Sequence, residues 1–147
     1  MGWLLLRRRV AAQNKTVILV DTSVIVAWMD PSHPEHELCQ KALIEWAGRD
    51  QLAVSSVTYA ELAAGARAQE GVNEELRPFQ KIDLDFDSAW RAGQRFRQHR
   101  PIKGDHPILP DFFIRGQAAS LNVVHLTNDR RRLGIWPDVE FVFPEQD

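Results

Sequence analysis

The chain has 147 residues, 44% apolar and 26% charged, which suits one globular domain with a real core better than two. Eighteen basic against twenty acidic residues leave a formal charge of −2, so no global positive field exists and nucleic-acid contact must come from local patches. One cysteine, Cys39, excludes an internal disulfide and fits a reducing cytoplasm; no run reaches the roughly 20 apolar residues of a membrane span.

Residues 1–15, MGWLLLRRRVAAQNK, read as an extension before a single domain over 16–147. The apolar run Trp3 to Leu6 is too short for a signal core, and its arginines follow it instead of preceding it. Val17 to Val20 is a continuous aliphatic run closed by Asp21, the pattern of a central strand buried on both faces. Ser32 to Glu35 has capping-box spacing, and Leu38, Ala42, Leu43 and Trp46 repeat at helical intervals up to Gly48. Leu52 to Val57 predicts a second strand. Thr58 to Gln69 predicts an alanine-rich helix with a capping box from Thr58 to Glu61, and a short helix is expected over Asn73 to Phe79.

Ile82, Leu84 and Phe86 alternate with Asp83 and Asp85, which predicts a half-wet strand, and Ser88 to His99 carries a helical apolar stripe. Arg100 to Pro110, with three prolines and a glycine, is a loop. A helix over Asp111 to Leu121 and strands at Val123 to Leu126 and Val139 to Phe143 complete the chain. Strands alternating with helices, without short hairpin turns, predict an α/β domain with a mainly parallel sheet.

In open sheets of this kind ligands sit beyond the carboxyl ends of the strands, which gives weight to four acids. Asp21 ends the first strand, Glu61 falls in the first turn of the following helix, Asp111 opens a helix, and Asp129 follows VVHL. Each also has a structural reading: an Asx-turn or the cap of a helix starting at Thr22 for Asp21, a turn for Asp129, capping box for Glu61, first-turn acid for Asp111. Two such charges 4 Å apart repel by about 4 kcal/mol at a protein surface, and a hard divalent cation is the natural compensation. Such an ion activates bound water and stabilises a phosphoryl oxygen, so a carboxylate cluster suits phosphodiester hydrolysis.

Four blocks in order, VILVDTSVIVAW, VSSVTYAELAAG, LPDFFIRGQAASLN and VVHLTND, resemble the PIN-domain ribonucleases, and among them the VapC-type toxins of bacterial toxin–antitoxin systems. The resemblance runs from Val17 to about Phe143. It implies a three-layer α/β/α sandwich and an endoribonuclease dependent on Mg²⁺ or Mn²⁺. Asp21, Glu61, Asp111 and Asp129 fall at the family's four acidic positions, with Glu61 acting through water. Thr127 and Thr22 match supporting hydroxyl positions. The family commonly dimerises and binds a small antitoxin, so a homodimer and an antitoxin partner are implied as well. The chain departs from the pattern in its proline-rich loop, where Asp105 is a competing acid, in RRRLGIWPDV after Asp129, and in its N-terminal extension.

Arg130, Arg131 and Arg132 adjoin the fourth acid and, with Arg115 and Lys103, are candidates to grip RNA phosphates; a solvated charged turn is the alternative. His33, His36 and Cys39 spread too far around one helix to share a zinc ion. Trp28, Met29, Leu38, Leu43 and Trp46 are core, or partly an apolar patch for a second subunit or antitoxin. A receiver-like phosphoacceptor domain lacks its acidic pair and late lysine here, a DxD phosphohydrolase lacks its second aspartate, and a dinucleotide binder lacks G-x-G-x-x-G. A non-catalytic PIN-like RNA- or protein-binding module remains an alternative.

Overall fold

A computed structural model describes residues 16–99 and 104–145; the extension 1–15 and Lys103 lie outside the described residues. Five parallel strands form one sheet: β1 (Val17–Val20), β2 (Gln51–Ser55), β3 (Gln80–Ile82), β4 (Val124–Leu126) and β5 (Phe141–Val142), in the order β3-β2-β1-β4-β5. The helices are α1 (Thr22–Met29), α2 (His36–Ala47), α3 (Ser56–Gly65), α4 (Gln69–Glu75), α5 (Phe86–Gln98) and α6 (Phe113–Leu121). A 3₁₀ turn, Leu109–Phe112, leads into α6.

β1 divides the core. Ile18 and Val20 face a cluster with Val24, Ile25, Cys39, Leu43 and Leu76, while Val17 and Leu19 face Ala92, Phe112, Ala118 and Trp136. Alternating side chains of one strand thus bury against α1, α2 and α4 on one side and α5 and α6 on the other. This is the expected three-layer α/β/α sandwich. Of the proposed apolar patch, Leu43 is buried in the core, and Trp28, Met29 and Trp46 pack half-buried against it. No helix among the described residues is long and apolar enough to cross a membrane.

Several element ends differ from the sequence expectation. α1 begins directly after β1, with the Asp21 side chain as its N-cap. Ser32 does not cap α2; its hydroxyl bonds Asp30 Oδ1 at 2.7 Å, closing a local turn. α3 starts at Ser56 because Ser55 Oγ accepts the Val57 N–H at 3.1 Å, so Thr58 and Glu61 form no capping box. The helix expected at Asn73 to Phe79 lies earlier, at Gln69–Glu75.

β3 also lies earlier than the alternation of Ile82, Leu84 and Phe86 suggests. The buried Gln117 amide donates to the carbonyls of Ile82 (3.2 Å) and Asp83 (3.0 Å), the Leu84 N–H goes to Ser56 Oγ, and Asp85 caps α5. Those bonds stop the strand where the pattern would continue it. The last strand keeps only Phe141–Val142 of the expected five residues.

Candidate active site

The first crossovers wind from β1 to β2 to β3, whereas β4 returns to the other side of β1. That reversal opens a crevice at the carboxyl ends of β1 and β4, where α/β sheets bind ligands. An open cleft of about 750 Å³ lies there, and Asp21, Glu61, Asp111 and Asp129 all line it. Four separate segments therefore deliver one acid each to one cavity.

Asp21 is held at both its main chain and its carboxylate. Its backbone N–H bonds Leu126 O at 2.8 Å, tying the end of β1 to the end of β4. Its Oδ2 accepts from Ser23 Oγ (2.5 Å), Ser23 N–H (3.3 Å) and Thr127 Oγ1 (3.0 Å). Thr127 Oγ1 in turn accepts the Asp129 N–H at 3.0 Å, and Ser23 Oγ accepts the Asn128 N–H at 3.1 Å. One carboxylate oxygen thus organises both the start of α1 and the loop that carries Asp129.

Beneath it lies His125, 1% exposed, with Nδ1 3.0 Å from Leu19 O and Nε2 3.8 Å from Asp21 Oδ1. A carbonyl only accepts, so Nδ1 carries the proton. Burial lowers the His125 pKa despite the opposing charge of Asp21, so the ring stays neutral near pH 7.

Thr22 Oγ1 donates to Glu61 Oε1 at 3.0 Å, which makes Thr58, 2.8 Å from Thr22, the donor to that hydroxyl. Glu61 is exposed as a residue, yet the protein mass around its carboxyl removes water and raises its pKa. The Thr22 bond opposes that rise, and the charges of Asp21 and Asp111 add to it. A raised carboxyl favours the fold while protonated and loses that contribution as pH climbs through its folded pKa. Glu61→Gln, which keeps an oxygen for Thr22, is therefore expected to stabilise the metal-free protein at neutral pH and flatten its pH dependence above the ordinary glutamate range. Denaturant titrations in chelator from pH 4 to 8 check this, and a less stable variant at pH 7 would contradict it.

The other two acids hold donors from the chain. Asp111 Oδ2 accepts the Ile108 N–H at 2.9 Å and lies 3.9 Å from Arg132 Nη2. Asp129 accepts from Arg131 three times: N–H and Nε on Oδ1, both at 2.9 Å, and Nη2 on Oδ2 at 3.0 Å. Burial alone would raise the Asp129 pKa, but the bonds from Arg131 and the charges of Arg115 and Arg131 outweigh it and leave it lowered. Among the described residues, no three metal-binding side chains close around one point. The donor set itself, all carboxylate oxygen in an open cleft, matches a hard divalent cation.

The arginines separate into different roles. Arg130 is exposed on the cleft wall, its guanidinium 4.0 Å from the Phe143 ring centre. Arg131 is engaged by Asp129. The Arg132 side chain is buried and donates to Asp105, which sets it against the proline-rich loop instead of free phosphate. Arg115 is also buried and donates to backbone carbonyls. These two therefore leave the phosphate-gripping set.

Ser23 and Asn128 join the site without having been singled out; the signal was their place inside DTS and TND, beside acids at strand ends. His33, His36 and Cys39 have three different partners: the Glu35 N–H, Ala27 O and the Asn128 amide.

Fold and cleft together define a doubly wound α/β protein with an acid-lined cleft at the carboxyl edge of its sheet. The PIN domain model matches residues 18–135, and the chain belongs to the PIN-domain family. That membership sets aside the receiver-like alternative. Comparison with curated protein sequences finds no match.

Among solved structures the chain is similar to VapBC2 from Rickettsia felis bound to a DNA fragment from their promoter, at 20% identity and a TM-score of 0.67, covering 88% of this chain and 100% of that one. It is similar to a toxin–antitoxin complex from Klebsiella pneumoniae, at 21% identity and 0.68, covering 88% and 99%. VapC20 of Mycobacterium tuberculosis, a toxin that cleaves the sarcin–ricin loop, matches at 17% and 0.61, covering 84% and 98%. Likeness at these identities establishes the shared fold.

Proposed function

We propose that the protein is a metal-dependent endoribonuclease of the VapC kind, the toxin of a toxin–antitoxin pair. The observation that carries this reading is the convergence of four acids from four segments on one cleft at the switch point. Asp21, Asp111 and Asp129 would hold Mg²⁺ or Mn²⁺, with Glu61 reaching it through water. Bound there, the ion supplies Lewis acidity toward a scissile phosphate and lowers the pKa of a water.

The chain's own groups do the rest. Ser23 and Thr127 hold Asp21 Oδ2, so Oδ1 would be the oxygen offered to the ion. Thr22 orients Glu61, whose raised basicity suits it to take a proton from cleft water. Arg130 offers a cation at the rim for a flanking phosphate. A small antitoxin partner is supported by the fold shared with toxin–antitoxin complexes. A homodimer is supported by Phe86 and Trp90, exposed one turn apart on α5.

The test incubates purified protein with structured RNA and Mn²⁺, with and without chelator, beside Asp111→Asn. Cleavage should require the ion and vanish in the variant; cleavage persisting in either case refutes the mechanism, and RNA binding without any cleavage favours a non-catalytic module. Arg130→Glu should weaken RNA binding by roughly tenfold across sequences and reduce the salt slope by about one. Unchanged RNA affinity in a filter-binding titration would remove Arg130 from the substrate path.

A further inference from the structure

Arg115 stands four residues after Asp111, in the first turn of α6, and is 6% exposed. Its Nη1 donates to Arg131 O at 2.6 Å and its Nη2 to Asp129 O at 2.8 Å. The guanidinium carbon lies 4.9 Å from the Phe141 ring centre. One side chain thus joins the helix led in by Asp111, the turn carrying Asp129, and β5. The next residue, Arg132, has φ +59°, a left-handed conformation that a non-glycine residue holds only under constraint. Its side chain is tied to Asp105 on the other side. The turn is therefore clamped from two directions, and Arg115 is the clamp that reaches the Asp129 main chain itself.

We infer that Arg115 is a positioning residue for Asp129, fixing the turn that presents this carboxylate to the cleft. The planar fork of a guanidinium spans two carbonyls at once, which a single ammonium does not do. Its role toward the ion rests on the metal-site reading above; its role in holding the turn does not.

Positioning and simple electrostatics predict opposite signs. As a buried cation within range of Asp129 and Asp21, Arg115 repels a divalent ion, so loss of its charge alone would tighten metal binding. Loss of positioning loosens Asp129 and weakens it. The amides to watch are the Asn128, Asp129 and Arg131 N–H groups, each bonded within the site.

The experiment compares full-length wild type, Arg115→Gln and Arg115→Lys. In chelator, hydrogen exchange should accelerate at residues 128–131 while β1 and β4 keep their protection, with Lys between Gln and wild type. By calorimetry, Mn²⁺ affinity should fall about tenfold in Arg115→Gln, the size expected when a supporting contact of a ligand is lost. In an Asp129→Asn background the same substitution should change Mn²⁺ affinity little. Unchanged exchange at the turn, a general loosening of the whole protein, tighter Mn²⁺ binding, or an equal loss in the Asp129→Asn background would each overturn the inference. If wild type binds no Mn²⁺, the metal-site reading fails, and the exchange pattern alone decides whether Arg115 holds the turn.

Discussion

Asp21→Asn should abolish the proposed RNA cleavage, a fall on the order of a thousandfold, while leaving thermal stability essentially unchanged. The two effects separate because the two carboxylate oxygens have different work. Oδ2 receives the Ser23 N–H, the Ser23 hydroxyl and the Thr127 hydroxyl, and an asparagine carbonyl oxygen accepts all three as the N-cap of α1. The new amide then falls where Oδ1 stands, 3.8 Å from the unpartnered His125 Nε2, so it faces a neutral acceptor and no competing donor. The charge that the proposed metal site needs disappears and the scaffold remains.

Asp21→Ala removes both functions. It deletes the cap and strands the Ser23 and Thr127 donors, so it should cost about 1–2 kcal/mol in denaturant unfolding as well as the activity. Residual cleavage by Asp21→Asn within tenfold of wild type would remove Asp21 from the proposed metal site. Equal destabilisation by Asn and Ala would mean that the carboxylate charge, not the cap geometry, holds this end of the sheet.

Three of the four acids were legible because they stand beside an element that their neighbours announce: an aliphatic run before Asp21, VVHL shortly before Asp129, Pro110 before Asp111. What local sequence does not carry is the choice among equivalent caps. Ser55, Ser56 and Thr58 all suit a helix start, and pairing of Ser55 with Ile82 in the sheet settles the matter by ending β2 at Ser55. α1 was legible only as the alternative reading of Asp21, a cap on a helix starting at Thr22, and not as an element in its own right, for a related reason. TSVIVAWM is apolar nearly all round and continues the β-branched run of β1, so it has no helical stripe to read.

The arginines illustrate a further limit. Charge and proximity to an acid identify Arg115, Arg131 and Arg132 equally well as phosphate ligands. Only the folded chain reveals that two of them are buried against carbonyls or Asp105, partners 14 to 27 residues away.

The small-residue run that made residues 111–121 read as a helix conceals the other large effect. Gly116→Val should lower the thermal midpoint by roughly 10 °C or prevent folding, whereas Gly93→Ala on the facing helix should raise it slightly. A Cβ at Gly116 would lie 2.7 Å from Ser88 O, 2.9 Å from Ala92 N and 3.0 Å from Ala92 Cβ. Two of those atoms are α5 backbone, which no rotamer change moves, so the helices must separate.

In an isolated helix Gly→Ala gains about 1 kcal/mol, but here overpacking costs about 1–3 kcal/mol, so Gly116→Ala should be mildly destabilising and Val much worse. At Gly93 the same Cβ meets nothing within 4 Å, and only the helix-propensity gain remains. Separation of α5 from α6 also has a route to the site. Phe96 of α5 and His99 just past its end hold Phe112 at ring distances of 5.4 and 5.9 Å, and Phe112 is the neighbour of Asp111. Gly116→Ala should therefore lose Mn²⁺ affinity in proportion to its loss of stability, while Gly93→Ala leaves affinity intact. A Gly116→Ala protein more stable than wild type would show that α5 yields, and that the close helix approach does not set the position of Asp111.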